Sequence, residues 1–220
     1  MVKVAIYVFD GLTALDAVGP YEVLQRIPGA SVRWVSKDGR AVRTDSGIAT
    51  LGADTAMDEL DEVDVLVVPG GPGANALVHD GASVAWVRDR AGSARWTASV
   101  CTGSLLLGAA GLLAGKEATT HWAFLDQLAE YGAIPTSRRV VFQDSVVTAA
   151  GVSAGIDMSL HLCEKLVGPE LAQAIQLGIE YDPQPPYDAG SPDKVVPALA
   201  ALTREFVLAE TASWMERHAR

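Results

Sequence analysis

The chain has 220 residues, 49% hydrophobic and 20% charged, with a formal net charge of −10. That is enough apolar material for a sizeable core without disulfides or metals, and the acidic balance repels phosphate, which argues against nucleic acid or an anionic membrane as a partner. The first residues, MVKVAIYVFDG, lack the charged and long apolar regions of a leader, and no run reaches membrane-span length, so a cytoplasmic location is expected.

Residues 2–9 form a β-rich run whose near-continuous hydrophobicity fits a strand buried on both faces of a parallel sheet. Asp10-Gly11 closes it as a turn. The spacing of Leu15, Val18, Tyr21, Val23 and Leu24 predicts a helix over about 14–25, with those side chains sharing its buried face. Residues 31–36 read as a strand, followed by a short alternating segment near 40–50. Residues 64–69 are a second buried strand, closed by Gly70-Gly71-Pro72-Gly73 and followed by a helical stretch interrupted near Asp80-Gly81. Residues 97–100 are predicted as a strand running straight into Cys101-Thr102-Gly103, and 105–113 as an interior helix. Next come a short strand at 118–121, a helix at 122–131, a hairpin over 140–150 turning at Asp144-Ser145, and a helix at 153–167. Proline and aromatic content predicts an ordered loop over 181–192, and a helix with a polar, frayed tail follows from about 195 to 217. Strands alternating with helices predict an α/β three-layer sandwich around a mostly parallel sheet, built as one domain over 1–220.

The most informative segment is SVCTGSLLLGAAGLL. A cysteine stands where a strand stops and a helix begins, the end of an open α/β sheet at which ligands bind. Free N–H groups of the first helical turn are expected to bias the thiol towards thiolate. The arrangement is similar to a nucleophile elbow with sulfur in place of oxygen; the competing reading is a buried core cysteine. The other cysteine, Cys163, lies within the apolar face of Ile156, Leu160, Leu166 and Val167 and reads as core. PGGPG can bring backbone N–H groups up to a reacting anion, while the absence of phosphate-loop and dinucleotide fingerprints leaves nucleotide binding unsupported.

A thiol nucleophile needs a proton acceptor. His79 and His218 sit in polar stretches and His161 on a solvent-facing helix position, whereas His121 ends a short strand and could look into a site. No histidine follows Cys101 directly. Asp16, set among Leu12, Leu15, Val18 and Tyr21, is the stronger candidate, because an acid there is costly unless paired or protonated. Helix capping is the competing explanation, and Glu22 is a second carboxylate with easier access to solvent. No Cys/His cluster suggests a metal, and no cofactor is expected.

The segments LDAVGP, VVPGGPG, SVCTGSLLLGAAGLLAGKEATTHW and YDPQPPYDAGSPD together resemble the ThiJ/PfpI superfamily and, within it, the isocyanide hydratases. The similarity runs from the first strand to about Asp193. It implies a flavodoxin-like fold, a homodimer, no cofactor, and an isocyanide as the small-molecule substrate. By motif position the nucleophile falls on Cys101 and the essential carboxylate on Asp16, with the Thr102 hydroxyl holding that carboxylate. Gly70 and Gly71 match the glycine turn beside the nucleophile, Gly151 the segment from the later hairpin, and Val152 packing that restrains the elbow. Protease- and glyoxalase-like relatives place a glutamate near the cysteine, so Asp16 and Thr102 weaken those readings. A glyoxalase III-like reaction on a small carbonyl compound and a non-catalytic small-molecule or redox sensor remain the alternatives. Regulators with a similar first domain continue into a helix-turn-helix module, for which the 25 residues after Val195 are too few.

Overall fold

A computed structural model describes residues 1–218. In chain order the described elements are β1 (Lys3–Tyr7), α1 (Ala14–Leu24), β2 (Ser31–Ser36), β3 (Val42–Arg43), β4 (Thr50–Leu51), β5 (Thr55–Ala56) and β6 (Val65–Val68). They continue with α2 (Pro72–Leu77), α3 (Gly81–Ser93), β7 (Trp96–Val100), α4 (Gly103–Ala109), β8 (Glu117–Ala118), β9 (Ile134–Pro135), β10 (Val140–Gln143) and β11 (Val146–Ala149). Helices α5 (Ala154–Val167), α6 (Pro169–Gly178) and α7 (Pro197–His218) complete the chain, with 3-10 segments at Trp122–Tyr131 and Pro192–Lys194.

Seven strands form the central sheet in the order β10-β11-β7-β6-β1-β2-β5, parallel except for the β10–β11 hairpin. Every residue of β6 is buried, as are Val4 to Tyr7 of β1, because helices cover both faces and leave no solvent side for alternation. One helical group is α1, α5 and α6; the other is α2, α3 and α4. From β1 the chain crosses to β2 on one side and later returns to β6 on the other. The carboxyl ends of β1 and β6 therefore flank the crevice where such sheets bind ligands, with β7 next to β6.

Several expectations shift. The buried face of α1 is made of Asp16, Ala17, Gly19, Pro20, Val23 and Leu24, whereas Leu15 is 40% exposed. Small side chains suit close packing against α5: a Cβ on Gly19 would come 3.1 Å from Ile156 Cγ1. The stretch at 122–131 is 3-10 in form, and α4 stops at Ala109, four residues short of the expected end. The strand expected at 118–121 shrinks to β8, two residues paired with β9. Helix α6 is not among the expected elements; Pro169 occupies its first turn, where its missing N–H costs nothing. The polar C-terminal stretch is helical through His218.

Candidate active site

Three turns meet at the crevice: 10–13 after β1, 69–71 after β6, and 101–102 after β7. Their approach is close because glycine removes the obstacle. A Cβ on Gly70 would stand 2.5 Å from the Thr102 nitrogen, 2.8 Å from Cys101 Cβ and 2.9 Å from Asp16 Oδ2. The Thr13 N–H donates to the Gly70 carbonyl at 3.0 Å, joining the start of α1 to the glycine turn.

Cys101 has φ +55°, a left-handed conformation that costs a non-glycine residue roughly 1–3 kcal/mol and persists only when its surroundings over-determine it. Here its N–H donates to the Ala150 carbonyl at 2.9 Å, and its carbonyl accepts from Thr120 Oγ1 at 2.9 Å and Ser104 Oγ at 3.2 Å. The side chain is 5% exposed and opens onto a cavity of about 330 Å³.

Asp16 is fully buried in the first turn of α1 and does not line that cavity. Its Oδ2 accepts the Gly70 N–H at 3.0 Å, and its carboxyl lies close enough to the Cys101 thiol for each to shift the other's pKa. Oδ1 has no partner. Burial pushes the Asp16 pKa up to about 7; the Gly70 N–H and then the neighbouring Cys101 thiol oppose the rise, and the charge of Asp45 adds to it. The thiol is also pushed well above its ordinary value, first by burial and then by the Asp16 charge, with the N–H groups of Thr102 and Val152 pulling the other way. The expected thiolate bias from the helix start is thus outweighed by desolvation. Sulfur and carboxyl form one coupled unit that holds a single proton between them once the first has left.

The Thr102 hydroxyl does not hold the carboxylate as expected. It accepts the Gly71 N–H at 2.9 Å and faces the Gly71 carbonyl at 3.1 Å, tying the elbow to the glycine turn. Asp16 is held by Gly70 instead. Val152 has φ +24°, a strained value for a β-branched residue, and presents its N–H to the sulfur. At Gly151 a Cβ would come 2.8 Å from the His121 ring, so this glycine lets the imidazole close in. His121 lines the cavity; its Nδ1 accepts the Ala123 N–H at 3.3 Å, which leaves the proton on Nε2, and burial lowers its pKa. His79, His161 and His218 are exposed, Glu22 lies on the half-buried side of α1, and Cys163 is fully buried.

Sequence reasoning missed Asp45, Phe124 and the α7 residues Phe206, Val207 and Trp214, all of which line the cavity. Asp45 reaches the site through a parallel bridge of Leu12 to Thr44, and its carboxylate accepts from Thr13 Oγ1 and from the Ser46 N–H, each at 2.7 Å. No local pattern announces that bridge. Among the described residues no group of three or more His, Cys, Asp or Glu side chains is placed to hold a metal ion.

Residues 2–165 match the DJ-1/PfpI family model. The chain belongs to the DJ-1/PfpI family. Among its relatives, the isonitrile hydratase of Pseudomonas putida is 43% identical over 203 residues, covering 92% of this chain and 89% of that protein. The HTH-type transcriptional regulator GbdR of Pseudomonas aeruginosa is 33% identical over 76% of this chain but only 46% of its own length. A ThiJ/PfpI family protein from Pseudomonas syringae superposes with a TM-score of 0.91 at 37% identity, covering 96% of this chain and 88% of the other. The family match ends inside α5, so α6, the exposed 182–190 loop and α7 lie beyond it. No described helix is long and apolar enough to cross a membrane.

Proposed function

We propose that the protein hydrates an isocyanide to an N-substituted formamide, with Cys101 as nucleophile and Asp16 as acid and base. The observation that carries this reading is the convergence of the Cys101 thiol and the buried Asp16 carboxyl at Gly70, where a Cβ would stand 2.8 Å from Cys101 Cβ and 2.9 Å from Asp16 Oδ2; with its pKa raised to about 7, that carboxyl can take up and release a proton near neutrality. The 43% identity to an isonitrile hydratase over most of both chains supports the same substrate class.

The terminal carbon of R–N≡C must gain a proton and a nucleophile. The thiol proton passes to Asp16, and Asp16 delivers it to the isocyanide carbon as the sulfur forms its bond there. The product of this half is a thioimidate, R–N=CH–S. The N–H groups of Thr102 and Val152 steady the sulfur while it carries charge. Asp16, again a carboxylate, then takes a proton from water as its oxygen adds to the thioimidate carbon, and nitrogen gains that proton. Collapse of the adduct expels the thiolate, and the hydroxyl proton returns to Asp16, leaving R–NH–CHO. Thr102 acts through its two contacts with Gly71, which fix the elbow against the glycine turn. His121, neutral with a proton on Nε2, is a donor at the cavity wall for the substrate nitrogen.

Family resemblance supports a homodimer, which light scattering of the purified protein checks. The decisive assay is incubation with a simple alkyl or aryl isocyanide. Formamide is expected, and its absence at high enzyme concentration rejects the hydratase.

A further inference from the structure

The sequence predicts α7 as a helix with a polar, frayed tail, and the family match does not reach it. It is nonetheless fixed at both ends of the cavity. Towards its start, the Arg204 guanidinium donates to the Ala123 carbonyl at 3.4 Å and to Asp126 at 3.3 Å, on the 3-10 segment that carries Phe124. Towards its end, Trp214 is 7% exposed and packs against Gly11, where a Cβ would come 2.1 Å from its ring; His218 stacks on the same indole at 4.1 Å.

Helical spacing then sorts what α7 offers. Val207, Thr211 and Trp214 fall on one row and Phe206, Glu210 and Arg217 on the next. The first row is the more buried, with Val207 and Thr211 half-buried and Trp214 buried; in the second, all three are exposed and Phe206 is 65% exposed. Helix α7 therefore lends the cavity a more apolar inner row and an exposed outer row with Glu210 and Arg217, and Asp45, held by Thr13 Oγ1, adds a second carboxylate to the lining.

We infer that α7 is the element that selects the substrate, and that the substrate carries an uncharged apolar group seated on Val207, Trp214 and Phe124 and covered by Phe206. An apolar group gains by leaving water, whereas a carboxylate-bearing one meets two negative side chains against one positive. This inference rests on the isocyanide reading above, so its test needs a readout that does not depend on turnover.

Cys101→Ala protein is titrated calorimetrically with N-alkyl formamides of increasing size and with a formamide whose alkyl chain ends in a carboxylate. Affinity is expected to rise with apolar size and to be about tenfold weaker for the bulky members when Phe206→Ala is added, the scale of one lost apolar contact. The carboxylate compound is expected to bind weakest, with Glu210→Gln narrowing its deficit. In the active protein, the kcat/KM ratio of a bulky isocyanide over methyl isocyanide is expected to fall about tenfold in Phe206→Ala. Circular dichroism separates this from a folding defect, since Phe206 is mostly exposed. Affinity that ignores alkyl size, or Phe206→Ala affecting bulky and small compounds alike, overturns the inference. Binding with the expected preferences but no turnover of any isocyanide by the active protein overturns the hydratase reading alone.

Discussion

The two cysteines differ in everything except burial. Cys163 sits in the middle of α5 at 0% exposure, and burial alone pushes its thiol up to about 12. Cys101 is almost as buried, and its thiol is raised for the same first reason. What separates them is the company. Cys101 stands in a left-handed turn at a strand end, with two N–H groups on its sulfur, a carboxyl beside it and a cavity in front. Burial alone makes a thiol inert; burial beside a carboxyl that can take its proton suits the nucleophile role proposed for Cys101.

The sharpest way to break this contrast is to exchange the two sites. Cys101→Ala is expected to lower formamide production by about 10⁴-fold or more, whereas Cys163→Ala should stay within about twofold and cost roughly 1–2 kcal/mol of stability. Kinetics and urea melts of both variants check this. A similar loss in both would erase the distinction.

Next in size, Asp16→Asn is expected to lower kcat/KM by roughly 10²–10⁴-fold. The same change alters stability in a defined direction. Folded protein keeps the Asp16 proton up to about pH 7, while the unfolded chain releases it near the ordinary 3.8. This group's favourable contribution is thus complete below the lower value and declines as pH rises through the upper one. Asp16→Asn escapes that decline, so above pH 7 it should melt higher than the wild type, by on the order of 1–3 kcal/mol. Melts at pH 5 and pH 8 show whether the gap opens as expected.

Gly70→Ala tests the junction of the three turns. Its Cβ would crowd the Thr102 nitrogen, Cys101 Cβ and Asp16 Oδ2, so stability should fall by roughly 1–3 kcal/mol and kcat/KM with it. The smallest expected effect belongs to Asp45→Asn. Activity of the wild type should rise with pH through about 7 as the pair loses its first proton, and removing the Asp45 charge should move that limb to lower pH. A pH–rate profile that does not move excludes Asp45 as a tuning charge.

The elbow was legible because a cysteine at the end of one apolar run and the start of another leaves few architectures open. Asp16 was legible because a carboxyl among leucines demands a reason. The two together marked the chemistry without locating its supports. Thr102 bonds to Gly71, 31 positions away, and Asp16 to Gly70, 54 positions away; only the β1–β6–β7 order brings those turns together. Asp45 depends on a single bridge to Leu12, and α7 on a tryptophan lying over a glycine some 200 residues earlier. Local patterning carries no record of such meetings. The thiolate bias failed for a related reason: a helix start is visible in sequence, but the depth of burial that outweighs it is not.

One titration reaches the centre of this account. Infrared difference spectra of the wild type against Asp16→Asn, followed from pH 4 to pH 9, report the protonated carboxyl of Asp16 directly. The band is expected to persist through the acid range and to disappear with a midpoint of about 7. Disappearance near 3.8 would mean that the carboxyl beside the sulfur binds a proton too weakly to take it from the thiol and hand it on at neutral pH.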